Sequence, residues 1–303
     1  MAAPTVPTLA TLTTEGLKKA GHSSPSAAQL ARAQDYFVEE IKNDIWLLGK
    51  RLKPLMAEHV EVLTGGRSRY DFPSAFSSIA SAKVLYGDEA LDVTGTAAAT
   101  VTLDSTDETA GEDDVEGKEI LIYSGTGKGS LSQCYSYDDE TYIASVSPAW
   151  ANTANGVAPA IADTYVLIDR YMPLDLLSVI TLDEITVLPG GKRQPTTLYA
   201  VGDEDHYGYY ILDPVPDDDY YYAISIRYYL NLLTLDLTST RMATLYARWR
   251  NLWIQGVKAK QLEDDDDNRA QLEMARYINM VKDTVSLETY GRNVKQHYTK
   301  IRA

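Results

Sequence analysis

The first part of the chain carries apolar side chains at the spacing of a helix. Ser26 and Gln29 have the S-x-x-Q spacing of a capping box, in which each side chain accepts a hydrogen bond from the backbone N–H of the other residue. Apolar residues then recur every three or four positions, which predicts one amphipathic helix of about six turns. These residues are Leu30, Ala33, Phe37, Ile41, Ile45, Leu48 and Leu52. A shorter helix capped by Thr14 and ended by Gly21 is predicted before it, and a short helical piece after it, before Gly65–Gly66.

The last part of the chain is also predicted to be helical. Asp236 or Thr238 is placed to cap a helix whose apolar face comprises Met242, Leu245, Tyr246, Trp249, Leu252 and Trp253. The acidic run 263–268 is predicted to be a solvated turn, and its charge suits the positive N-terminal end of the helix that follows. The apolar face of that helix is predicted to be Leu272, Ala275, Ile278 and Val281.

Between these helical parts, residues 206–230 have the pattern of a β-hairpin. Apolar and aromatic residues alternate with period two from Tyr207 to Leu212 and again from Tyr220 to Tyr228. Pro214 and Pro216 stop the first ladder because proline has no N–H to donate, and 217–219 is an Asp run suited to a turn. We expect both helical parts to pack on this hairpin.

Residues 88–170 differ from the rest of the chain, being rich in Thr, Ala, Gly and Asp with almost no helical periodicity. Several short strand-like pieces separated by Gly or Asp turns predict a small antiparallel sandwich or barrel. The whole chain is therefore predicted to be α+β: a bundle of N- and C-terminal helices packed on an antiparallel sheet, with an inserted all-β domain. The predicted parts are 1–87 (N-terminal helical part), 88–170 (insert), and 171–303 (hairpin, C-terminal helices and a basic arm).

Charge is unevenly distributed along the sequence. The net charge is −15, yet residues 241–303 carry twelve Lys/Arg against eight Asp/Glu, a net +4, so the remainder carries −19. An acidic body argues against nucleic-acid binding as the main task, because phosphate contacts need Lys and Arg. The 22 Tyr against 3 Phe suit a half-solvated sheet or a surface that meets other subunits.

The sequence offers little for targeting or covalent cross-linking. One cysteine, Cys134, excludes an intramolecular disulfide and fits a reducing compartment. We expect no signal peptide and no membrane-spanning segment, because no apolar run has the required length or flanks.

Motifs for catalysis or cofactor binding are not found. The run GTGKGS at 125–130 departs from a phosphate loop because Gly129 separates Lys128 from Ser130, so a Gly-rich hairpin turn is predicted.

His22, His59, His206 and His297 lie far apart, and the Asp264–Asp267 run lacks the spacing of a calcium loop. Cys134 is predicted to be a small packed residue. A carboxylate pair for glycoside hydrolysis stays open, because many Asp and Glu lie in the β region. No catalytic, cofactor-binding or metal site is predicted, and the chain is expected not to be an enzyme.

Two sets of segments resemble proteins of tailed-bacteriophage virions. Val115–Ile122, Ser124–Gly127 and Val146–Trp150 resemble a β module that recurs in phage structural proteins, with a G-K-x-I-x-I strand, an S-G-T-G turn and a V-x-P-x-W segment. The frame around it resembles a head-to-tail adaptor (connector) protein. Residues 11–21, 33–52, 68–76 (SRYDFPSAF, with Ala75 where an acidic residue is commoner) and 214–230 carry that resemblance.

The resemblance implies a structural virion protein of the neck, made in the host cytoplasm. It implies a ring, dodecameric in the family, which binds the portal on one side and tail or nozzle proteins on the other. DNA would pass through the lumen without specific binding, since fixed negative charge repels phosphates. Neither a cofactor nor a membrane is implied. The alternatives are another neck, tail or fibre component, or a protein whose 88–170 region binds or cuts polysaccharide.

Residues 290–303 are polar, basic and Tyr-bearing, without the pattern of a core, and the candidate arm is taken as 286–303. They predict an arm that orders on a partner, the alternative being a merely disordered tail. The hypothesis is that this arm locks onto the portal. Its proposed contact residues are Tyr290, Arg292, Lys295, Tyr298, Lys300 and Arg302.

Overall fold

The computed structural model describes residues 7–105, 115–168, 170–179, 192–202 and 208–290. The chain divides into two compact units, the first formed by Met1–Met56 with Tyr229–Ala303 and the second by Ala57–Tyr228. The described α-helices all lie in the first unit, and the second is built mainly of strands. The predicted α+β class is therefore confirmed.

Helix α1 (Leu9–Ala20) starts earlier than predicted. Its N-cap is Thr8, whose side chain accepts from the backbone N–H of Thr11, and its C-cap is Gly21 at φ 122°. Thr14 lies inside the helix, where its hydroxyl donates to the Ala10 carbonyl at 2.7 Å. The predicted cap at Thr14 is wrong, because Thr8 offers the same chemistry one and a half turns earlier, whereas the stop at Gly21 is confirmed.

The predicted helix of about six turns is confirmed, with an irregularity at its centre, but Leu48 of its predicted apolar face is 48% exposed and Leu52 lies beyond its end. It consists of α2 (Ala27–Asp35), a π-helical segment (Tyr36–Ile41) and α3 (Lys42–Leu48), and Ser26 and Gln29 make the capping box. The buried residues Ala33, Phe37, Ile41 and Ile45 are each four positions apart. In a regular α-helix each such step drifts about 40° around the axis, and the wider π turn absorbs that drift. The π segment thus keeps these four side chains on one face.

The helical piece predicted before Gly65–Gly66 is wrong. A 3-10 turn (Lys53–Leu55) leads directly into strand β1 (Met56–Val62). Pro54 restricts the backbone at the start of the turn. Val60 and Val62 are then buried on either side of the half-exposed Glu61, which is the alternation of a strand.

Three helices follow the sheet region: α4 (Thr240–Arg248), α5 (Arg250–Asp264) and α6 (Ala270–Tyr290). The N-cap of α4 is Ser239, whose hydroxyl accepts from the Met242 N–H at 3.2 Å, so the caps predicted at Asp236 and Thr238 are wrong. Asp236 instead accepts from Thr238 within the preceding turn. All six residues predicted for the apolar face are buried, as expected: Met242, Leu245, Tyr246, Trp249, Leu252 and Trp253.

Helix α5 is the centre of the first unit. Its buried residues point to all sides of the helix, which is typical of a helix surrounded by other helices: Leu252, Trp253, Ile254, Gly256, Val257, Ala259, Gln261 and Leu262. It packs against α1, α6 and the π segment. Gly16 of α1 permits the close crossing with α5, because a Cβ there would lie 2.6 Å from the Val257 side chain.

The second unit holds two four-stranded sheets. The first has the order β1-β15-β3-β11 and the second the order β12-β13-β14-β2. Their strands beyond β1 are β2 (Arg69–Asp71), β3 (Phe76–Gly87), β11 (Arg170–Pro173), β12 (Asp175–Val179), β13 (Thr197–Val201), β14 (Tyr209–Asp213) and β15 (Tyr221–Leu230).

The predicted hairpin at 206–230 is wrong, although both of its strands exist. Strand β14 pairs with β13 and β2, whereas β15 lies between β1 and β3 in the other sheet. Both edges of β14 are already occupied, and Pro214 and Pro216 cannot donate to a continued ladder. The connection 214–220 therefore carries the chain from one sheet to the other. His206 and Tyr207 lie outside the described residues.

The strands predicted for the insert form one seven-stranded antiparallel sheet, in the order β4-β10-β7-β8-β9-β6-β5. They are β4 (Leu91–Asp92), β5 (Gly95–Ala97), β6 (Thr100–Thr102), β7 (Glu119–Ser124), β8 (Leu131–Asp138), β9 (Ile143–Ser147) and β10 (Thr164–Ile168). Ile120 and Ile122 face a core within this sheet, around Trp150, while Leu121 between them faces Val60 and Leu85 of the first sheet. Strand β7 is thus buried on both faces.

Aromatic side chains from distant segments meet in the second unit. Phe72 stacks on Phe76 with ring centroids 3.9 Å apart, and Phe72 also contacts Tyr210 at 5.0 Å. Tyr70 stacks on Tyr210 at 5.6 Å, and Phe76 on Tyr228 at 5.5 Å. This cluster joins β2, the start of β3, β14 and β15. Two predictions stay predictions: that the helices pack on the sheet, and that 88–170 forms a domain of its own.

Replacing Phe37 by Asp is expected to unfold the first unit. Phe37 is fully buried, stacks on Trp253 at 5.0 Å and meets the Tyr246 ring edge-on at 5.9 Å. An unpaired carboxylate there should lower the free energy of unfolding by more than about 4 kcal/mol. Urea unfolding followed by circular dichroism measures this.

The matched control is Val38→Asp, at the next residue of the same π segment, where the side chain is 46% exposed. It is expected to cost about 1 kcal/mol or less. Equal unfolding midpoints for Phe37→Asp and Val38→Asp would show that the face assigned to this helix is wrong.

Candidate interaction surface

The contact residues predicted for the arm lie at and beyond the end of α6. Tyr290 is the last residue of α6, and Arg292, Lys295, Tyr298, Lys300 and Arg302 lie outside the described residues. Residues 286–290, predicted to belong to the arm, are helical. The prediction that the arm starts at 286 is therefore wrong, and the candidate arm is 291–303. The structure describes the surface next to it.

Helix α6 does not bury the face that its apolar residues predicted. Leu272 is 56% exposed and Ile278 is 40% exposed, and Ala275 between them is also exposed. Of the four predicted core residues only Val281 is buried. The buried face instead comprises Glu273, Tyr277, Val281 and Glu288.

Charge pairing explains how Glu273 comes to be buried. Its carboxylate accepts from Gln255 at 2.8 Å, from Lys258 at 3.0 Å and from Arg276 at 2.7 Å. The Gln255 and Lys258 hydrogen bonds outweigh the cost of burial, so the pKa of Glu273 is held below its usual value. Gln255 and Lys258 both lie on α5, so this carboxylate ties α6 to the central helix.

The rest of the buried face is fixed in the same way. The Tyr277 hydroxyl donates to Asp44 at 3.0 Å, and burial raises the pKa of Tyr277 far above its usual value. Glu288 accepts from Arg248 at 2.6 and 2.7 Å and from the Trp249 indole at 3.1 Å. Burial opposes ionisation of Glu288, but these bonds outweigh it and its pKa is lowered. Polar contacts along most of α6 thus fix which face points inward.

Ala275 and Ile278, two of the apolar side chains left outside, line a groove between α6 and the turn after α5. Its volume is about 650 Å³. Its floor includes Met274, Ala275 and Ile278 of α6, at the spacing of one helix face. The full lining is Glu263, Asp266, Asp267, Asn268, Ala270, Gln271, Met274, Ala275 and Ile278.

The acidic run beside this groove is only partly a solvated turn. Asp264 accepts from Tyr36 and from Arg32, Asp265 pairs with His22 at 2.9 Å, and Arg269 donates to both oxygens of Asp267. The Arg269 hydrogen bond lowers the pKa of Asp267 to about 2.

Two carboxylates at the groove keep their charge available. Within the described part of the chain, Glu263 and Asp266 make no hydrogen bond or ion pair through their side chains. An apolar floor with negative charge at its edge suits a basic amphipathic segment. Sequence reasoning missed this surface because it assigned the same apolar residues to the core. The competing signal was the spacing of Glu273 and Tyr277, which lie four residues apart on the same face as Val281.

The Gly-rich run 125–130 is a hairpin turn between β7 and β8, as predicted. Its backbone N–H groups already bind an anion of the chain itself. The Asp163 carboxylate accepts from Thr126 at 2.9 Å, from Gly127 at 2.8 Å and from Ala160 at 2.9 Å. Gly125, at φ 88°, has no room for a Cβ, which would lie 1.9 Å from an Asp163 oxygen. The loop therefore offers no free anion site.

The other described residues that were considered for chemistry are either buried in a core or paired with a carboxylate. Cys134 is fully buried, as predicted, and burial raises the pKa of its thiol. Trp150 is fully buried, and its indole donates to the Thr100 carbonyl at 3.2 Å. His22 and His59 each pair with a carboxylate, while His206 and His297 lie outside the described ranges. Where the chain is described, no group of three or more His, Cys, Asp or Glu side chains is placed to hold a metal ion.

In comparisons with known proteins, no family model matches the chain and no curated protein is significantly similar to it in sequence. Within the described ranges, no helix has both the length and the apolar content needed to cross a bilayer.

Replacing Asp163 by Asn is expected to destabilise the second unit in a pH-dependent way. The amide nitrogen would face a backbone N–H, so the free energy of unfolding at pH 7 should fall by about 1.5–3 kcal/mol. Burial opposes ionisation of Asp163, but its three N–H partners outweigh it and lower its pKa below the unfolded value. The carboxylate's contribution is thus complete above the unfolded pKa of about 3.9 and is lost as the pH falls through the folded pKa.

The difference between wild type and Asp163→Asn should therefore be largest at neutral pH and shrink below about pH 4. Urea midpoints measured across this range test the expectation. Asp139→Asn, on an exposed turn of the same sheet, is the control and should change nothing. Identical midpoints for wild type and Asp163→Asn at pH 7 would contradict the role given to Asp163.

Proposed function

We propose that the chain is a head-to-tail adaptor of a tailed-bacteriophage virion. In this role copies of the chain form a ring that joins the portal to the tail and continues the DNA channel. The ring works by shape and mutual contact, without catalysis or a cofactor. The proposal rests on the sequence resemblance and on where the segments that carry it lie.

The observation that supports it best is that those segments come together within each unit. In the first unit, α1 carries 11–21 and packs on α5, while α2 to α3 carry most of 33–52. In the second unit, Phe76 from 68–76 stacks on Tyr228 from 214–230, and Phe72 contacts Tyr210. Segments that resemble one family thus contribute buried side chains to both units.

The distribution of charge along the chain also suits an adaptor. An acidic ring lumen lets DNA pass without adhering, because fixed negative charge repels phosphates. The basic residues are concentrated towards the C-terminal end, where 291–303 carry four Lys/Arg and no Asp or Glu. We propose that Arg292, Lys295, Lys300 and Arg302, with Tyr290 and Tyr298, contact the portal.

A second role within the virion, in the tail or fibre, has one observation in its favour. The β module at 115–150 lies in a seven-stranded sheet with its own core, and this module is shared among phage proteins at several positions.

A carbohydrate-binding role has less support. Trp150, the only Trp between residues 88 and 170, is buried and does not offer a stacking platform.

Mixing the purified chain with the portal protein encoded in the same genome tests the proposal. The expected result is a complex with rotational symmetry in negative-stain images, with extra density on the tail-facing side of the portal. Binding to tail proteins but not to portal would favour the second role, and binding to a glycan array the third. A chain that binds neither itself nor any virion protein would refute the adaptor role.

Removing 291–303 tests the portal contact of the arm. A deletion from 286 would also remove Glu288, which anchors α6 to Arg248 and Trp249, so the cut belongs after Tyr290. The shortened chain is expected to keep its melting temperature and to lose most attachment to portal rings. The matched charge control is Lys19→Gln with Lys282→Gln, two exposed changes on α1 and α6, which should leave attachment intact. Undiminished attachment of the shortened chain would remove the arm from the portal contact.

A further inference from the structure

The groove on α6 has the chemistry of a binding site for a basic amphipathic segment. Its floor of Met274, Ala275 and Ile278 is apolar, and Glu263 and Asp266 leave negative charge at its edge. Exposed apolar surface on a helix, bordered by charge, is typical of a site that takes a partner helix. The identity of that partner can be inferred from the sequence of this chain.

The segment 291–303 has the complementary pattern. Val294, Tyr298 and Ile301 are spaced four and three residues apart, which places them on one face of a helix. Lys295 and Arg302 would lie on one side of that face, about 100° and 80° from Val294. Tyr298 on this face and the adjacent Lys295 and Arg302 are also proposed portal contacts, so one arm binds either a neighbouring copy or the portal, and not both at once.

Length argues that the segment reaches the groove of another copy. As a helix, thirteen residues span about 20 Å. The segment leaves α6 at Tyr290, whereas the acidic edge of the groove lies beyond Ala270, about 30 Å back along the axis of α6. A helical 291–303 folded back on its own chain would therefore stop short of Glu263 and Asp266.

We infer that residues 291–303 of one copy bind the α6 groove of a neighbouring copy, with Val294 and Ile301 on Met274, Ala275 and Ile278 and with Lys295 and Arg302 facing Glu263 and Asp266. Such a contact is heterologous, because arm and groove are different surfaces, and repeated contacts of this kind close into a ring when the rotation from copy to copy closes. The inference deepens the proposed function by giving the copies a contact with one another before the portal is bound, and it rests on that function only for the ring.

The test is a complementation experiment with full-length proteins, followed by sedimentation velocity in the absence of portal. The groove variant is Ala275→Arg with Ile278→Arg, two exposed positions where added positive charge repels the arm. The arm variant is Val294→Asp with Ile301→Asp. The wild-type chain is expected to self-associate, and each variant alone to do so at least about tenfold more weakly.

Mixing the two variants gives the decisive result. Each keeps the half of the contact that the other has lost, so a 1:1 mixture is expected to form a heterodimer with one intact contact and no larger species. Leu272→Arg, on the same helix but outside the groove lining, is the matched control and should associate like wild type. Melting curves establish that all variants are folded.

Three results would overturn the inference: a wild-type chain that stays monomeric, a folded groove variant that associates like wild type, or a mixture without a heterodimer. Because portal is absent, the outcome is separate from the portal-binding experiment. If the variants complement each other but the chain never binds portal, the arm–groove contact stands and the adaptor role is refuted. If the chain binds portal but the variants do not complement each other, the adaptor role stands and the arm–groove contact is refuted.

Discussion

The orientation of α6 depends on charged and hydroxyl side chains that are buried against α3, α4 and α5. Glu273, Tyr277 and Glu288 each find partners on those helices. A buried carboxylate without partners would cost several kcal/mol, so these contacts admit one rotation of α6 about its axis. That rotation leaves Leu272, Ala275 and Ile278 exposed, and the groove is the consequence.

Several local signals predicted local structure correctly, although the caps at Thr14 and at Asp236 or Thr238 were misplaced, and features that depend on distant partners were predicted poorly. The capping box at Ser26 and Gln29, the stop at Gly21 and the Gly-rich turn at 125–130 depend only on neighbours in sequence, and all three were predicted correctly. The pairing of β14 and β15 depends on which other strands occupy their edges, and adjacency in sequence gave the wrong answer. The rotation of α6 depends on Lys258, Arg248 and Asp44, whose positions a hydrophobic pattern does not report.

The sequence features that suggested a ligand site or a catalytic residue contact other residues of the chain instead. The N–H groups of the Gly-rich turn bind Asp163, and the acidic residues Asp264, Asp265 and Asp267 each have a partner within the first unit. Trp150 and Cys134 are core residues of the seven-stranded sheet. The apolar, acid-edged surface of α6 is accessible, and it suits the assembly role proposed above.

The most direct test of the α6 rotation is thiol labelling of engineered cysteines. Ile278→Cys and Val281→Cys place the probe on neighbouring turns of α6, and the native Cys134 is fully buried and supplies the background. The orientation described here predicts that, at protein concentrations low enough to keep the chain monomeric, the thiol at 278 of the folded protein reacts with a maleimide much faster than the thiol at 281. The thiol at 281 should react only through opening of the helix bundle. Strong protection at 278 together with fast labelling at 281 would contradict it.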